Sequence, residues 1–433
     1  HTIARSKYIQ RGSIITSDGV TLAESLQQED GTYARSYPNG NMAAHVVGYV
    51  SQQYGTAGVE SVMNETLTGS KDYSSWNNAL ASLAGQNQPG NTAKLTIDSR
   101  IQTAAEQALK GFKGAVVVMD PRTGAVLACA SSPTYDNTNI DALMQSGSGE
   151  DGSMYNRAMD ALYTPGSTFK VVTLSAALET GTASLTSTYQ APGSMDIGNA
   201  PVTNYANESY GTISLQQAFA VSSNVVFGQV ANEVGANTLV QFANAFGYGQ
   251  KLGQDLTSTA SIMADPSLMT EWETAWAGAG QPVGMDHTPG PQTTVMQNAV
   301  IAAAIANSGV VMDPYFVAQV LAPDGTVVKT TQSRSLGQAV SSATADQVKQ
   351  AMLAVVQSGT GTDAQVPGVK VAGKTGSAET GGTNVNSMFV GFAPYDSPTV
   401  AISVALEDYD KHDVKAAKIA SIVLTAALAA QGA

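Results

Sequence analysis

Strand-forming runs occur in two widely separated places, Ala115 to Ala130 and Val369 to Leu406, with a mostly helical stretch from about 165 to 310 between them. Strands so far apart satisfy their backbone groups by pairing across the intervening helices, so distant segments must close one sheet. The first run reads as a hairpin: Ala115 to Met119, a turn at Asp120-Pro121-Arg122-Thr123-Gly124, then Ala125 to Ala130. The second reads as three strands, Val369 to Ala378, Met388 to Ala393 and Val400 to Leu406, followed by a terminal helix through Ile419 to Ala430. Ala-rich helical segments at 215–234, 238–246 and 295–307, broken by glycine, fill the interval.

Upstream of about residue 112 the chain is rich in Gly, Ser, Asn and Gln, with short strands. Arg11 to Val20 reads as a strand, an Asp18-Gly19 turn and a second strand. Residues 69–93 read as loop, and Asp98 as the cap of a helix carrying Ile101, Ala104, Ala105 and Leu109. The 433 residues suit two to three domains. A division at 1–112 and 113–433 follows from this change of character.

Composition narrows the chemistry. With 21 Lys+Arg against 34 Asp+Glu, a net charge of -13 argues against nucleic acid or an anionic membrane as the main partner. The one cysteine, Cys129, lies in an apolar strand and can form neither an intramolecular disulfide nor a thiolate cluster. His1, His45, His287 and His412 lack metal-ligand spacing, which sets aside a zinc site and a Ser-His-Asp triad. No run of 18 apolar residues spans a membrane; Ile419 to Ala430 is too short and carries Ser421 and Thr425. The sequence opens at His1-Thr2 without an initiator methionine, so a preceding membrane anchor is expected to have been left off. Catalysis then falls to Ser, Lys, Asn and backbone groups.

Ser167-Thr168-Phe169-Lys170 puts a serine at a helix start and a lysine one turn along the same face, the spacing at which the amine can take the serine's proton. Ser222-Ser223-Asn224 follows on a turn between two helices, where a hydroxyl and a carboxamide can relay a proton and hold an amide. Ser75-Trp76-Asn77 fits the same pattern but lies upstream of the nucleophile. Lys374-Thr375-Gly376-Ser377 comes third, on a strand. Its lysine brings charge, Thr375 and Ser377 can hold a carboxylate, and Gly376 lets a substrate backbone lie close. These are the parts of an acyl-transfer site. Burial and the charge of Lys374 would lower the pKa of Lys170, and the backbone N–H groups of Ser167 and Ser377 are the natural candidates for oxyanion donors. Substrate is expected to add beside the strand as an extended peptide.

In this order, the S-x-x-K, S-x-N and K-T-G motifs resemble those of penicillin-binding proteins and class A β-lactamases. Arg11-Gly12-Ser13-Ile14, Arg35-Ser36-Tyr37-Pro38, His45-Val46-Val47-Gly48-Tyr49 and Gly55-Thr56-Ala57-Gly58-Val59-Glu60 resemble the N-terminal segments of monofunctional class B members. Asp120 to Gly124, Asn156-Arg157-Ala158 and the Gln297 to Gly309 helix do so too. The resemblance implies an α/β (α+β) transpeptidase domain, a mainly antiparallel sheet covered by helices with a helical lobe, over residues 113–433. A smaller β-rich pedestal or dimerisation-like domain over 1–112 would precede it.

It also implies a peptidoglycan D,D-transpeptidase. Ser167 would be the nucleophile, Lys170 the base, Ser222 and Asn224 the relay and amide contact, and Lys374, Thr375 and Ser377 the carboxylate and oxyanion side. No metal or other cofactor is implied. The implied partners are D-Ala-D-Ala stem peptides, β-lactams and a membrane glycosyltransferase, at the outer face of the cytoplasmic membrane. Ser377 departs from the more common threonine, and Ser223 fills the variable middle position. Two alternatives stand beside this reading: a D,D-carboxypeptidase or β-lactamase-type hydrolase, with Glu271 or Glu273 activating water, and a penicillin-binding sensor or scaffold.

Overall fold

The computed structural model describes residues 7–70, 89–147, 151–379, 385–409 and 415–432; Ser75-Trp76-Asn77, His1 and His412 lie outside them. The distant strand runs do meet. One five-stranded antiparallel sheet has the order Ala372–Glu379, Val385–Ala393, Val400–Tyr409, Lys113–Met119, Val126–Ser132. Its closing pair sets Ile402 opposite Val118 and Val404 opposite Val116. Because side chains alternate across a strand, each strand feeds two cores. Val116, Val118, Ile402 and Val404 face the helices Ser99–Leu109 and Ala416–Gly432. Ala115, Val117, Met119, Ala401 and Ala405 face the helix Val295–Ala306. All residues of that helix are buried, which explains a sequence apolar on every side.

Beyond that helix lies a lobe in which Lys170–Glu179 packs against Asn224–Val234, Ala236–Ala245 and Ser342–Ser358; Glu271–Gly278 packs on Asn224–Val234, and its Gly278 O accepts the Thr173 hydroxyl at 2.7 Å. Lys170 through Ala177 are all buried, so the helix that starts at the lysine is anchored along its length.

The Asp18-Gly19 turn forms as expected: the Thr16 N–H donates to Val20 O at 2.9 Å and Gly19 takes a φ of +90°. The Asp18 carboxylate also accepts the Ser99 N–H at 2.9 Å, beside the cap in which Asp98 accepts from Arg100 N. The hairpin tip is thereby tied to the start of the helix Ser99–Leu109. A second sheet has the order Val327–Thr330, Val317–Leu321, Thr92–Leu95, Ile14–Ile15, Thr21–Gln27, Tyr33–Ser36. Two of its strands come from residues 317–330, so a hairpin from late in the chain extends the N-terminal sheet.

Three N-terminal motifs converge under that sheet. Glu60, fully buried, accepts Arg11 Nε at 2.9 Å and Arg35 Nη2 at 2.8 Å on one oxygen. Its other oxygen accepts Arg35 Nε and the Tyr37 hydroxyl, both at 2.8 Å. Burial alone would raise the Glu60 carboxyl, but the guanidinium groups of Arg35 and Arg11 hold it below its ordinary value. A further motif arginine, Arg157, reaches Glu407 on the central sheet at 2.8 Å.

Candidate active site

Ser167 sits in a 3₁₀ turn, Gly166–Phe169, and the α-helix begins only at Lys170. Helix spacing alone would set both on one α-helical face. The tighter turn eclipses residues three apart, which brings the two side chains directly into line. Lys170 Nζ is 2.9 Å from Ser167 Oγ. Gly166 has a φ of +57°, and a Cβ there would lie 2.6 Å from Ser377 O, so only glycine lets the turn approach the strand.

The Ser222-Ser223-Asn224 turn divides its labour. Ser223 is the helix cap, accepting from Val226 N, and its hydroxyl donates to Asn204 Oδ1 at 2.9 Å. That leaves the flanking side chains free to face Lys170. Its Nζ lies 3.0 Å from Ser222 Oγ, 3.0 Å from Ser222 O and 2.8 Å from Asn224 Oδ1. Ser222 holds a left-handed backbone, φ 62° and ψ 49°, a conformation that costs a non-glycine residue about 1–2 kcal/mol. Its two oxygen contacts with Lys170 help keep it there.

Lys374, on the edge strand Ala372–Glu379, completes the cluster. Its Nζ donates to Ser222 Oγ at 3.0 Å and Thr375 O at 3.2 Å, so Ser222 Oγ bridges the two amines. Alternation buries Lys374 and Gly376 on one side, while Thr375 is half-buried and Ser377 exposed. A Cβ at Gly376 would lie 2.9 Å from Pro165 O. The Ser377 carbonyl faces Gly166, and in an antiparallel strand the N–H of the same residue points the same way. The Ser377 N–H therefore opens on the cleft beside the Ser167 turn.

Both amines are fully buried, and among the described residues neither has a carboxylate hydrogen-bonded to it. Burial first, and the charge of Lys374 second, push Lys170 well below the ordinary lysine value. Burial lowers Lys374 to about 7. The ring faces of Phe227 and Phe219 lie 5.7 and 5.4 Å from the Lys170 and Lys374 Nζ atoms and add to the apolar surroundings of both amines. A neutral amine against a serine hydroxyl, with an N–H on an open strand edge beside it, is equipped for acyl transfer.

Other candidates fall elsewhere. Glu273 caps its own helix, accepting Thr270 N–H at 3.1 Å and Gly284 N–H at 3.3 Å. Glu271 opens the same helix. The C-terminal end of that helix, not the end that carries the two glutamates, leads to Gly280, whose carbonyl accepts the Gly166 N–H beside the serine turn. Cys129 is buried, its thiol pushed up to about 12 by burial, as suits a core residue. His45 packs edge-on to Tyr135 and contacts Ser153 O.

The structure adds residues that the motifs did not announce. Asn204 Oδ1 accepts both Ser223 Oγ and the Val225 N–H, and Thr203 O accepts Asn224 Nδ2. Thr360 Oγ1 lies 2.7 Å from Thr375 Oγ1. The only local mark of the last is a hydroxyl between two glycines, Gly359 and Gly361, just past a long helix.

Fold and site are those of an active-serine acyl-transfer protein, with a buried lysine amine against the serine. The model of the penicillin-binding protein transpeptidase domain matches residues 114–425, and that of the penicillin-binding protein A dimerisation domain matches 11–93. The peptidoglycan D,D-transpeptidase PbpA of Mycobacterium tuberculosis is 34% identical, over 92% of this chain and 84% of its own length. A crystal structure of the D,D-transpeptidase domain of a peptidoglycan glycosyltransferase from Eggerthella lenta is 43% identical, with a TM-score of 0.90 over 98% of this chain and 99% of that one. The imipenem acyl-enzyme of penicillin-binding protein A from M. tuberculosis is 31% identical, with a TM-score of 0.88 over 98% and 99%. The chain belongs to the class B penicillin-binding protein transpeptidases.

Proposed function

We infer that this chain is a peptidoglycan D,D-transpeptidase, acylated on Ser167 by stem peptides ending in D-Ala-D-Ala and by β-lactams. The observation that carries the site assignment is the fully buried Lys170 amine 2.9 Å from Ser167 Oγ with no carboxylate hydrogen-bonded to it among the described residues. Neutral Lys170 takes the Ser167 proton as Oγ attacks the penultimate D-Ala carbonyl carbon. Negative charge gathers on the carbonyl oxygen, which the N–H groups of Ser167 and Ser377 receive. The C–N bond then breaks. The proton passes from Lys170 through the Ser222 hydroxyl to the departing D-Ala nitrogen, leaving an ester on Ser167. The amine of a second stem peptide attacks the ester carbon and gives a proton to Lys170, which returns it to Ser167 Oγ as the C–O bond breaks, freeing the serine and leaving the lysine amine neutral again.

Thr375 and Ser377 hold the terminal carboxylate on the open edge, with charge from Lys374 beneath, and Asn224 holds a substrate amide. Residues 113–433 make up most of the transpeptidase domain and residues 1–112 most of the pedestal, but the helix Ser99–Leu109 packs on the central sheet and the hairpin 317–330 extends the pedestal sheet, so the boundary is crossed in both directions. A membrane glycosyltransferase is a partner suited to the pedestal, and an anchor outside this sequence would hold the protein at the outer face of the cytoplasmic membrane. The match of 11–93 to a penicillin-binding protein A dimerisation domain supports the pedestal assignment. No helix of the described residues is long and apolar enough to cross a membrane.

Intact-mass measurement over time with benzylpenicillin tests the site. We expect one stoichiometric, long-lived adduct, lost in Ser167→Ala. An adduct that persists on Ser167→Ala would move the nucleophile elsewhere, and rapid turnover would favour a hydrolase.

A further inference from the structure

We propose that Thr360 is a substrate-binding residue: a further hydroxyl for the terminal carboxylate, which also fixes the direction in which Thr375 donates. The inference rests on the transpeptidase reading and adds a residue to it. Thr360 follows the helix Ser342–Ser358 and touches two of the three catalytic motifs or their supports. Its N–H donates to Ala220 O at 3.2 Å, near the end of the helix that delivers Ser222. Its Oγ1 is 2.7 Å from Thr375 Oγ1. A Cβ at Gly359 would lie 2.6 Å from Ala220 O, so the preceding glycine is what lets the loop seat so closely. Thr360 is exposed and Thr375 half-buried, so the pair opens to the cleft edge instead of completing a core.

Two hydroxyls this close share one hydrogen bond. When Thr360 donates to Thr375, it occupies an acceptor site there, and the remaining Thr375 proton is directed outward and strengthened by the chain. A carboxylate arriving at the edge takes that proton, or draws one from each hydroxyl. Lys374 lies on the opposite side of the strand with its Nζ turned to Ser222, so the hydroxyls supply the direct contacts and the amine supplies field. Without Thr360, Thr375 is free to rotate away, and the carboxylate loses both a donor and an oriented neighbour.

The test compares acylation rates of wild type, Thr360→Val and Thr360→Ser with benzylpenicillin and with its methyl ester, in which the carboxylate is blocked. Thr360→Val should slow acylation by the penicillin about tenfold to a hundredfold, the worth of a hydrogen bond to a charged group. The ester rate should change by less than about threefold, and Thr360→Ser should react with penicillin within about threefold of wild type. Equal slowing with both probes would make Thr360 a mere clamp between helix and strand, and unchanged rates would remove it from the site; either result overturns the inference. A wild type that forms no penicillin adduct would instead overturn the underlying transpeptidase reading, and this inference with it.

Discussion

Two clusters of buried charge, one beneath the N-terminal sheet and one at the serine, are built on opposite terms. Around Glu60 both carboxylate oxygens are filled, by three guanidinium N–H groups and the Tyr37 hydroxyl. Around Ser167 two lysines share one hydroxyl, and among the described residues no carboxylate is bonded to them. The choice of cation fits the difference. Arginine does not give up its proton in a protein, so the first cluster stays ionic and joins three chain segments permanently. Lysine buried without a counter-ion does give up its proton, which turns a folding cost into a base. Compensated charge here holds the fold, and the uncompensated pair is the one the proposed chemistry uses.

The largest expected effect breaks the catalytic side alone. Lys170→Met should slow acylation by benzylpenicillin about 10²–10⁴-fold, the usual worth of a positioned base. Its thermal stability at neutral pH should equal or exceed that of wild type, because a desolvated amine is replaced by an apolar chain of similar length. Rate and unfolding temperature, measured on one sample, check both halves. A folded variant acylated at a near-normal rate would show that Lys170 is not the base. Glu60→Gln should do the reverse. It strands two arginines and should cost about 3–5 kcal/mol in denaturant unfolding, while the fraction that stays folded is acylated as wild type is. Since the folded Glu60 carboxyl is held below its ordinary value, its contribution is fully present above that value and fades as pH falls through the lower, folded one.

The two clusters also differed in how far the sequence disclosed them. The convergence at the serine was legible because the proton transfer proposed for it demands short, fixed spacings: three residues on one turn, two across a helix junction, a lysine and hydroxyls on one strand. The central sheet was legible from its apolar runs as one sheet closed by distant segments, but which strands meet was not; the structure pairs Val400–Tyr409 with Lys113–Met119. Arg11, Arg35 and Glu60 stood out as motif residues, yet nothing local announced that they meet. Asn204, Thr360 and the hairpin 317–330 were illegible for the same reason: each acts through contact with a segment far away in the chain, and such pairing leaves no periodic mark. The 3₁₀ turn at Ser167 was hidden differently. A tertiary contact, Gly166 against Ser377 O, decides it, and helix periodicity does not register it.

The smallest expected effect sharpens the comparison through pH. Lys374 titrates at about 7 when folded, against an ordinary lysine value of 10.5, so between those limits the unfolded chain binds a proton that the folded chain does not. Stability from this group must then rise with pH through that window, by up to about 1.4 kcal/mol per pH unit, and be flat below it. Lys170, depressed further, adds a rise of the same sign that begins at lower pH. Replacing Lys374 by Met should therefore reduce the slope of unfolding free energy against pH between 7.5 and 9 by about 1 kcal/mol per unit, leaving the Lys170 share in place. The Glu60 cluster, already ionised throughout this range, should contribute no slope. Denaturant titrations of wild type and Lys374→Met at several pH values measure the difference. Parallel curves would mean that Lys374 stays protonated in the folded protein, and would give it a permanent charge like those of Arg11 and Arg35.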